Sequence, residues 1–169
     1  MKDFKIPYKG LSIGVHNYHW EIDRKFFEAI ENPEFADGCL TVLLDLEKQE
    51  RMMTLTFSIR GSVVVACDRC LENLDLPLAI NEDIYIKFGS ERNEEDDNVI
   101  ILPESEYQID ISRLINEFIT LAMPLKKAHQ KDDKGAYGCN KEVLKKLEEL
   151  SEKRSVDPRW EKLKDIKLD

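Results

Sequence analysis

The amino-acid sequence predicts an α+β fold, in which an antiparallel sheet or a partly open barrel carries a packed helix and a helical C-terminal segment. The first observation is a strict period of two, because Met53, Leu55, Phe57 and Ile59 alternate with mostly polar residues, as in a half-buried strand. Further strand-like runs follow with short turns between them, which is typical of an antiparallel meander or barrel. The helix is predicted from apolar residues at helical spacing between residues 111 and 122.

Short strands and one short helix are predicted before residue 38. The alternating residues are Phe4, Ile6 and Tyr8, followed by Tyr18, Trp20 and Ile22. Asp23 is placed to cap a helix that ends at Asn32-Pro33, since the residue before a proline disfavours helical backbone. His16 and His19 flank Tyr18, and we favour ordinary sheet packing for this strand over a base-stacking surface.

The middle of the chain is predicted to form consecutive strands. The first covers Cys39–Glu47, and the next begins at Arg51 after a turn. We expect this second run to bend or to cross between sheets at Gly61 before it continues to Ala66. The last run contains alternating leucine and isoleucine residues, and Pro77 within it predicts an edge position or a bulge.

An acidic segment follows the sheet. Residues 91–98 contain five acidic residues and one arginine, and such a run predicts a solvated loop. A short strand is expected at residues 99–102, and Asp110 is expected to cap a helix that ends at Pro124. The apolar residues expected to pack this helix on the sheet are Ile111, Leu114, Ile115, Phe118, Leu121 and Ala122.

The C-terminal part is predicted to be a polar loop followed by helices. The loop covers residues 126–138, and Asn140 is expected to cap the next, amphipathic helix. Asp157 and Pro158 are typical of the start of a further short helix, with Trp160 and Leu163 on one side of it.

The net charge of −9 is distributed unevenly. Residues 1–125 contain 12 basic and 24 acidic residues, whereas residues 126–169 contain 13 basic and 10 acidic residues. We therefore predict an acidic core domain at 1–125 and a weakly basic C-terminal segment at 126–169. The overall acidity is not typical of a basic nucleic-acid-binding domain. No apolar stretch has the length of a signal-peptide core or a membrane span, so we expect a cytoplasmic protein that does not bind membranes.

Four cysteines suggest a metal site. Two of them form the motif Cys67-Asp68-Arg69-Cys70, and a turn of this spacing directs both sulfur atoms to one point, which suits half of a tetrahedral site. His129 and Cys139 are the candidates for the other two ligands, with Cys39 as a further candidate. Zinc is the metal that thiolate and imidazole donors favour. Unliganded thiols are an equally favoured interpretation, and a redox pair is a third, although a redox pair normally lies at a helix N-terminus.

The sequence contains no nucleophile elbow, phosphate-cradling glycine loop or metalloprotease helix, so we expect neither an enzyme nor a small-molecule substrate. Basic residues are the candidates for RNA or partner contacts. Arg159 and Trp160 are the more specific pair, because a guanidinium and an indole can stack on an unpaired base, although the Trp could equally dock a helix. The candidates are Arg69, Arg159, Trp160, Lys162 and Lys164, with Lys126, Lys127, Lys131 and Lys167 as further basic residues.

Taken in order, these motifs resemble the YceD family of large ribosomal RNA subunit accumulation proteins. The resemblance rests on Cys67–Leu71, the helix end Leu121-Ala122-Met123-Pro124-Leu125, the segment from His129 to Cys139, and the ending Asp157-Pro158-Arg159-Trp160. The acidic segment and the DPRW ending are most similar to the Bacteroidetes branch. The family's cysteine pair and later His and Cys fall on Cys67, Cys70, His129 and Cys139.

The resemblance implies a bacterial or plastid protein that supports accumulation of large-subunit (23S) ribosomal RNA. We therefore expect a non-enzymatic ribosome-biogenesis factor that binds pre-ribosomal RNA or a large-subunit ribosomal protein. One alternative is an acidic adaptor that binds protein without contacting RNA, since the net charge of −12 on residues 1–125 would attract basic partners. The other is a thiol redox protein that uses the CxxC motif.

Overall fold

The computed structural model confirms the α+β class, and it describes residues 4–90, 93–96, 98–130 and 138–152. The strands are β1 (Lys5–Ile6), β2 (Gly14–Ile22), β3 (Asp37–Lys48), β4 (Met52–Ala66), β5 (Asn73–Gly89), β6 (Asn93–Asp96), β7 (Val99–Pro103) and β8 (Ile109–Asp110). The helices are α1 (Arg24–Ile30), α2 (Ser112–Leu121) and α3 (Lys141–Glu152), and a single 3-10 turn covers Tyr8–Gly10.

Six strands form the main sheet in the order β2-β3-β4-β5-β7-β6, while β1 pairs with β8 in a small antiparallel sheet. Neighbours in the main sheet are antiparallel except β5 and β7, which run parallel. This exception to the predicted antiparallel pairing arises because β6, which comes between them in sequence, lies outside β7 in the sheet. Among the described strands, β2 and β6 are the two ends of the order, so the sheet is open rather than a barrel.

The core lies on one face of the long strands β3, β4 and β5, where alternate residues are buried. The face predicted from the period of two in β4 is confirmed, since all four of its predicted apolar residues are completely buried. Helices α1 and α2 both contribute to this core. Phe26 and Phe27 of α1 are buried, and Phe118 of α2 packs edge-on against Phe57 of β4 at 5.2 Å between ring centroids.

The crossing between sheets that the sequence predicts at Gly61 is wrong, because β4 continues through it as one strand of 15 residues. Burial keeps the same alternation on both sides, with Ile59 and Val63 both on the core face. Gly61 has φ of +147° and pairs with Leu40, so the glycine allows β3 and β4 to approach closely within one continuous ladder.

Two other predictions need correction. Part of the acidic segment 91–98 is not a loop, because Asn93–Asp96 forms β6 and pairs with β7, while residues 91, 92 and 97 lie outside the described residues. The apolar stripe of α2 is also shorter than predicted, since Leu121 is 75% exposed and Ala122 is exposed too. Ile119 is completely buried instead, so the contact face of the helix is rotated from the predicted stripe.

Several local predictions are confirmed. The Asp23 carboxylate accepts a hydrogen bond from the backbone N–H of Lys25 at the start of α1, as an N-cap does. Asp110 similarly accepts from the backbone N–H of Ser112 at the start of α2. Pro77 lies in the part of β5 that, among the described strands, pairs only with β4, which is the predicted edge position.

The chain divides into two compact units. The first contains Met1–Ala66 and Asn73–Lys127, and the second contains Cys67–Glu72 and Ala128–Asp169. This division assigns the turn between β4 and β5 to the second unit, whereas the sequence had suggested a single boundary after residue 125. Within the described ranges, no helix is long and apolar enough to cross a membrane.

Candidate metal centre

The turn Cys67–Glu72 connects β4 to β5 and holds two of the predicted ligands. The backbone N–H of Leu71 donates to the carbonyl of Cys67 at 2.8 Å, and the N–H of Cys67 donates to the carbonyl of Glu72 at 2.9 Å. Leu71 closes the turn in the left-handed conformation, with φ of 61°. This tight turn brings Cys67 and Cys70 close together, as the two-residue spacing predicts.

The other two predicted ligands, His129 and Cys139, lie in the segment that precedes α3. His129 is half-buried and Cys139 is buried, and the N–H of Gly138 donates to the carbonyl of Gln130 at 3.2 Å. Asn140 then caps α3, because its side-chain oxygen accepts from the N–H of Glu142 at 2.9 Å, as predicted. Residues 131–137, which contain most of the predicted loop, lie outside the described residues.

The four predicted ligand atoms meet at one point. The Sγ of Cys67 lies 3.9 Å from the Sγ of Cys139, and the Nδ1 of His129 lies 3.6 Å from the Sγ of Cys70 and 3.7 Å from that of Cys139. A tetrahedral zinc ion with ordinary bond lengths would need separations of about 3.8 Å between sulfur atoms and about 3.6 Å between sulfur and nitrogen. These three separations match such an ion, and all four ligand atoms lie within 4.8 Å of one another, so the residues could hold it.

The cluster is also the interior of the described part of the second unit. Among the described residues of this unit, the only buried side chains are those of Cys67, Cys70 and Cys139. The apolar residues Leu147 and Leu150 of α3 are 44% and 64% exposed. In residues 67–72, 128–130 and 138–152, three sulfur atoms and an imidazole therefore take the place that a hydrophobic core has in the first unit.

The acidity of the thiols is set by the surroundings of each sulfur. Burial raises the pKa of Cys67, but hydrogen bonds from the backbone N–H groups of Arg69, Cys70 and His129, and a contact with the Cys70 thiol, outweigh it and lower this pKa to about 6. Burial and the neighbouring Cys70 and Cys67 groups raise the pKa of Cys139. One thiolate is thus favoured without a metal, whereas further deprotonation requires a cation to screen the repulsion.

The other predicted site residues are separated by the fold. Cys39 is exposed on β3 and does not belong to the cluster. Arg69 lies at the cluster, where its guanidinium is 4.0 Å from the Sγ of Cys139, and Lys127 pairs with Glu34 at 2.6 Å. The predicted contacts at Arg159, Trp160, Lys162 and Lys164 lie outside the described residues, as does the predicted helix that contains them.

The sequence motifs did not single out Glu72, which links the two chain segments of the second unit. Its carboxylate accepts a hydrogen bond of 2.6 Å from the side chain of Asn140. Its position directly after the Cys67–Leu71 turn is the only sequence signal that could have suggested this role. Arg69 was predicted for its charge, but its contact with a ligand sulfur was not anticipated.

The fold and the cluster define an α+β protein with a Cys3His site that could hold a metal ion. Comparison with known proteins then gives the family. The family model for "Large ribosomal RNA subunit accumulation protein YceD" matches residues 55–167, so the chain belongs to the YceD family. That description states a role in accumulation of large-subunit ribosomal RNA.

One curated relative is the "Uncharacterized protein YlbN" of Bacillus subtilis (strain 168). It is 27% identical to the chain over 112 residues, a match that covers 66% of this chain and 64% of the relative. No solved structure matches the chain significantly.

Proposed function

We propose that this protein is a non-enzymatic factor that supports accumulation of large-subunit ribosomal RNA by binding pre-ribosomal RNA or a ribosomal protein in the bacterial cytoplasm. The observation that carries the proposal is family membership across two thirds of the chain. A binding role also agrees with the sequence, which contains no recognised catalytic motif.

Depletion of the protein tests this function. We expect the amount of 23S rRNA to fall relative to 16S rRNA, and a tagged copy to cosediment with precursors of the large subunit in a sucrose gradient. The wild-type gene expressed in trans should restore the rRNA ratio. A tagged protein found only at the top of the gradient, together with a normal rRNA ratio after depletion, would contradict the proposal.

Zinc is the metal that we propose for the cluster, in a structural role. Three thiolates and one imidazole leave no ligand position for substrate in a tetrahedral site, as in structural zinc sites. Purified protein should contain one zinc per chain. Cys139→Ser should lose most of this zinc, whereas Cys39→Ser is the matched control, because Cys39 lies outside the cluster. Equal zinc in both variants, or none in the wild type, would exclude the site.

Direct RNA binding is distinguished from a protein-only adaptor by the basic C-terminal residues. We expect the triple variant Arg159→Gln/Lys162→Gln/Lys164→Gln to weaken binding to 23S rRNA fragments. The slope of log affinity against log salt should fall by about two to three, because each lost phosphate contact removes close to one unit. The control variant changes the same charge on α3, at Lys141, Lys145 and Lys146. RNA binding that is absent in the wild type would favour the adaptor.

The redox alternative makes a different prediction about the cysteines. A thiol enzyme would need Cys67 and Cys70 to be free to form a disulfide, whereas a zinc site needs both as ligands. Thiol labelling of purified protein, before and after zinc removal, separates the two. Rapid labelling of both cysteines in zinc-loaded protein would support the redox alternative instead.

A further inference from the structure

Strand β2 forms an open edge of the main sheet that lacks the usual protection. Its nine residues pair with β3 without a bulge, and no described strand pairs with its other side. Open edges are normally blunted by proline, lysine, bulges or short length, because their free N–H and C=O groups can pair with another chain. β2 has the sequence GVHNYHWEI, which contains neither proline nor lysine.

An unpaired stretch of β5 in the same sheet shows the contrast. Residues 73–84 of β5 pair only with β4 among the described strands. That stretch contains Pro77, which has no backbone N–H to donate to a further strand. The unpaired stretch of β5 is therefore protected against strand addition, whereas β2 is not.

The side chains of β2 offer two different surfaces. On the core side, Tyr18 and Trp20 are half-buried and stack with 5.6 Å between ring centroids, and Phe4 stacks on Trp20 at 5.8 Å. On the outer side, Val15 is 60% exposed and is followed by the exposed Asn17, His19 and Glu21. An added strand would place alternate side chains beside the rings and beside this outer row.

The charge around the edge defines the partner. Strands β2 and β3 contain four acidic residues, Glu21, Asp37, Asp45 and Glu47, all exposed. Their only lysine or arginine is Lys48, whose ammonium donates to the backbone carbonyls of Tyr8 and Leu11 at 2.9 and 2.7 Å. The outer face at this edge is therefore negative, and it complements a segment with positive side chains.

We infer that β2 binds an extended segment of a basic protein, in which lysine or arginine alternates with apolar residues, by adding it to the sheet as a further strand. Backbone hydrogen bonds to β2 provide the affinity, and the alternation of acidic and aromatic surfaces selects the sequence. This inference rests on the proposed function, because it assigns a ribosomal protein rather than RNA as the ligand of the acidic core domain. A second copy of this chain would bring two negative faces together.

Hydrogen exchange on the full chain tests this inference. The probes are the proteins extracted from purified bacterial large ribosomal subunits and, separately, deproteinised 23S rRNA. We expect the proteins to slow amide exchange in residues 14–22 and not in residues 73–84, and we expect rRNA to leave residues 14–22 unchanged. Protection of β2 by rRNA, or by self-association of the chain alone, would overturn the inference, as would no protection with either probe.

A matched pair of variants locates the contact. Asn17→Lys and Asn81→Lys make the same substitution on exposed residues of the outer face, one on β2 and one on the unpaired stretch of β5. We expect Asn17→Lys to weaken binding of the extracted proteins about tenfold, because it adds a like charge, and Asn81→Lys to change it less than about twofold. Both variants should melt within a few degrees of wild type, and an equal effect of the two on binding would overturn the inference.

The rRNA measurement keeps this inference separate from the proposed function. If depletion lowers 23S rRNA but β2 shows no protection, the function stands and the strand-addition site is wrong. If depletion leaves 23S rRNA unchanged, the proposed function fails whatever the exchange experiment shows. Photocrosslinking from position 15 then identifies the bound segment, and a segment without alternating basic residues would contradict the predicted partner chemistry.

Discussion

Replacing Gly61 by alanine should strongly destabilise the main sheet. Gly61 lies in the middle of β4 with φ of +147°, a conformation that residues with a Cβ atom rarely adopt. A Cβ atom at this position would lie 2.1 Å from the carbonyl oxygen of Cys39 and 2.8 Å from the Cα atom of Leu40. Both contacts are with the backbone of β3, so a side-chain rotation cannot relieve them.

Two separate costs contribute to the expected loss of stability. Holding alanine in a glycine-only backbone conformation costs about 1–3 kcal/mol, and overpacking against a fixed neighbour costs about the same again. The register of β3 with β4 holds that neighbour in place on both sides of Gly61. We therefore expect Gly61→Ala to lower the free energy of unfolding by about 4 kcal/mol, which corresponds to a fall of roughly 8–16 °C in Tm.

Two other glycines separate the two costs. Gly14 has φ of +130°, and a Cβ atom added there would have no other atom within 4 Å, so Gly14→Ala should show the backbone cost alone. Gly38 has an ordinary φ, but its Cβ would lie 2.7 Å from the Phe27 ring, so Gly38→Ala should show a packing cost alone. Urea denaturation followed by circular dichroism measures all three. If Gly61→Ala is no more destabilising than Gly14→Ala, the reasoning about close strand approach is wrong.

Three further substitutions test local features of the fold. Glu31 ends α1 with φ of 59°, so Glu31→Gly should raise the free energy of unfolding by up to about 1 kcal/mol in the same denaturation assay. Asn140→Ala removes the cap of α3 and the hydrogen bond to Glu72, and should cost about 1–2 kcal/mol, measured as increased amide exchange in α3 relative to Asn17→Ala. Tyr8 is buried and donates to the carbonyl of Glu106, so Tyr8→Phe should cost about 1–2 kcal/mol; an unchanged midpoint would contradict the hydrogen bond's contribution.

The strands could be predicted where one face of the sheet is buried and the other is exposed to solvent. Apolar and polar residues then alternate along the sequence with a period of two. The same argument failed where it predicted a crossing between sheets at Gly61, since a glycine that permits close strand approach has the same sequence signal as one at which the chain leaves a sheet. It failed again at Asn93–Asp96, where backbone pairing with β7 orders an acidic segment that composition alone assigns to a loop. Tertiary pairing overrides local preference in such segments.

The sequence indicates which residue types form the cluster, but it does not show that all four side chains come together. The CxxC spacing lets one tight turn bring both sulfur atoms together, so Cys67 and Cys70 followed from a local rule. His129 and Cys139 are distant in sequence, and only the fold decides that they join the cluster while Cys39 does not. No periodic pattern in the sequence indicates contacts between cysteine and histidine residues that are this far apart.

The burial pattern of the second unit leads to a final prediction about metal removal. Its described part buries only the three ligand cysteines, so a metal rather than a hydrophobic core would hold it together, as in small zinc domains. The first unit has its own apolar core on the sheet. A strong zinc chelator should therefore speed amide exchange in α3 at least about tenfold, while the central residues of β3 and β4 keep their protection. Unchanged exchange in α3 after complete zinc removal would show that other contacts hold this unit, and a loss of protection in β4 as well would show that the sheet depends on the metal.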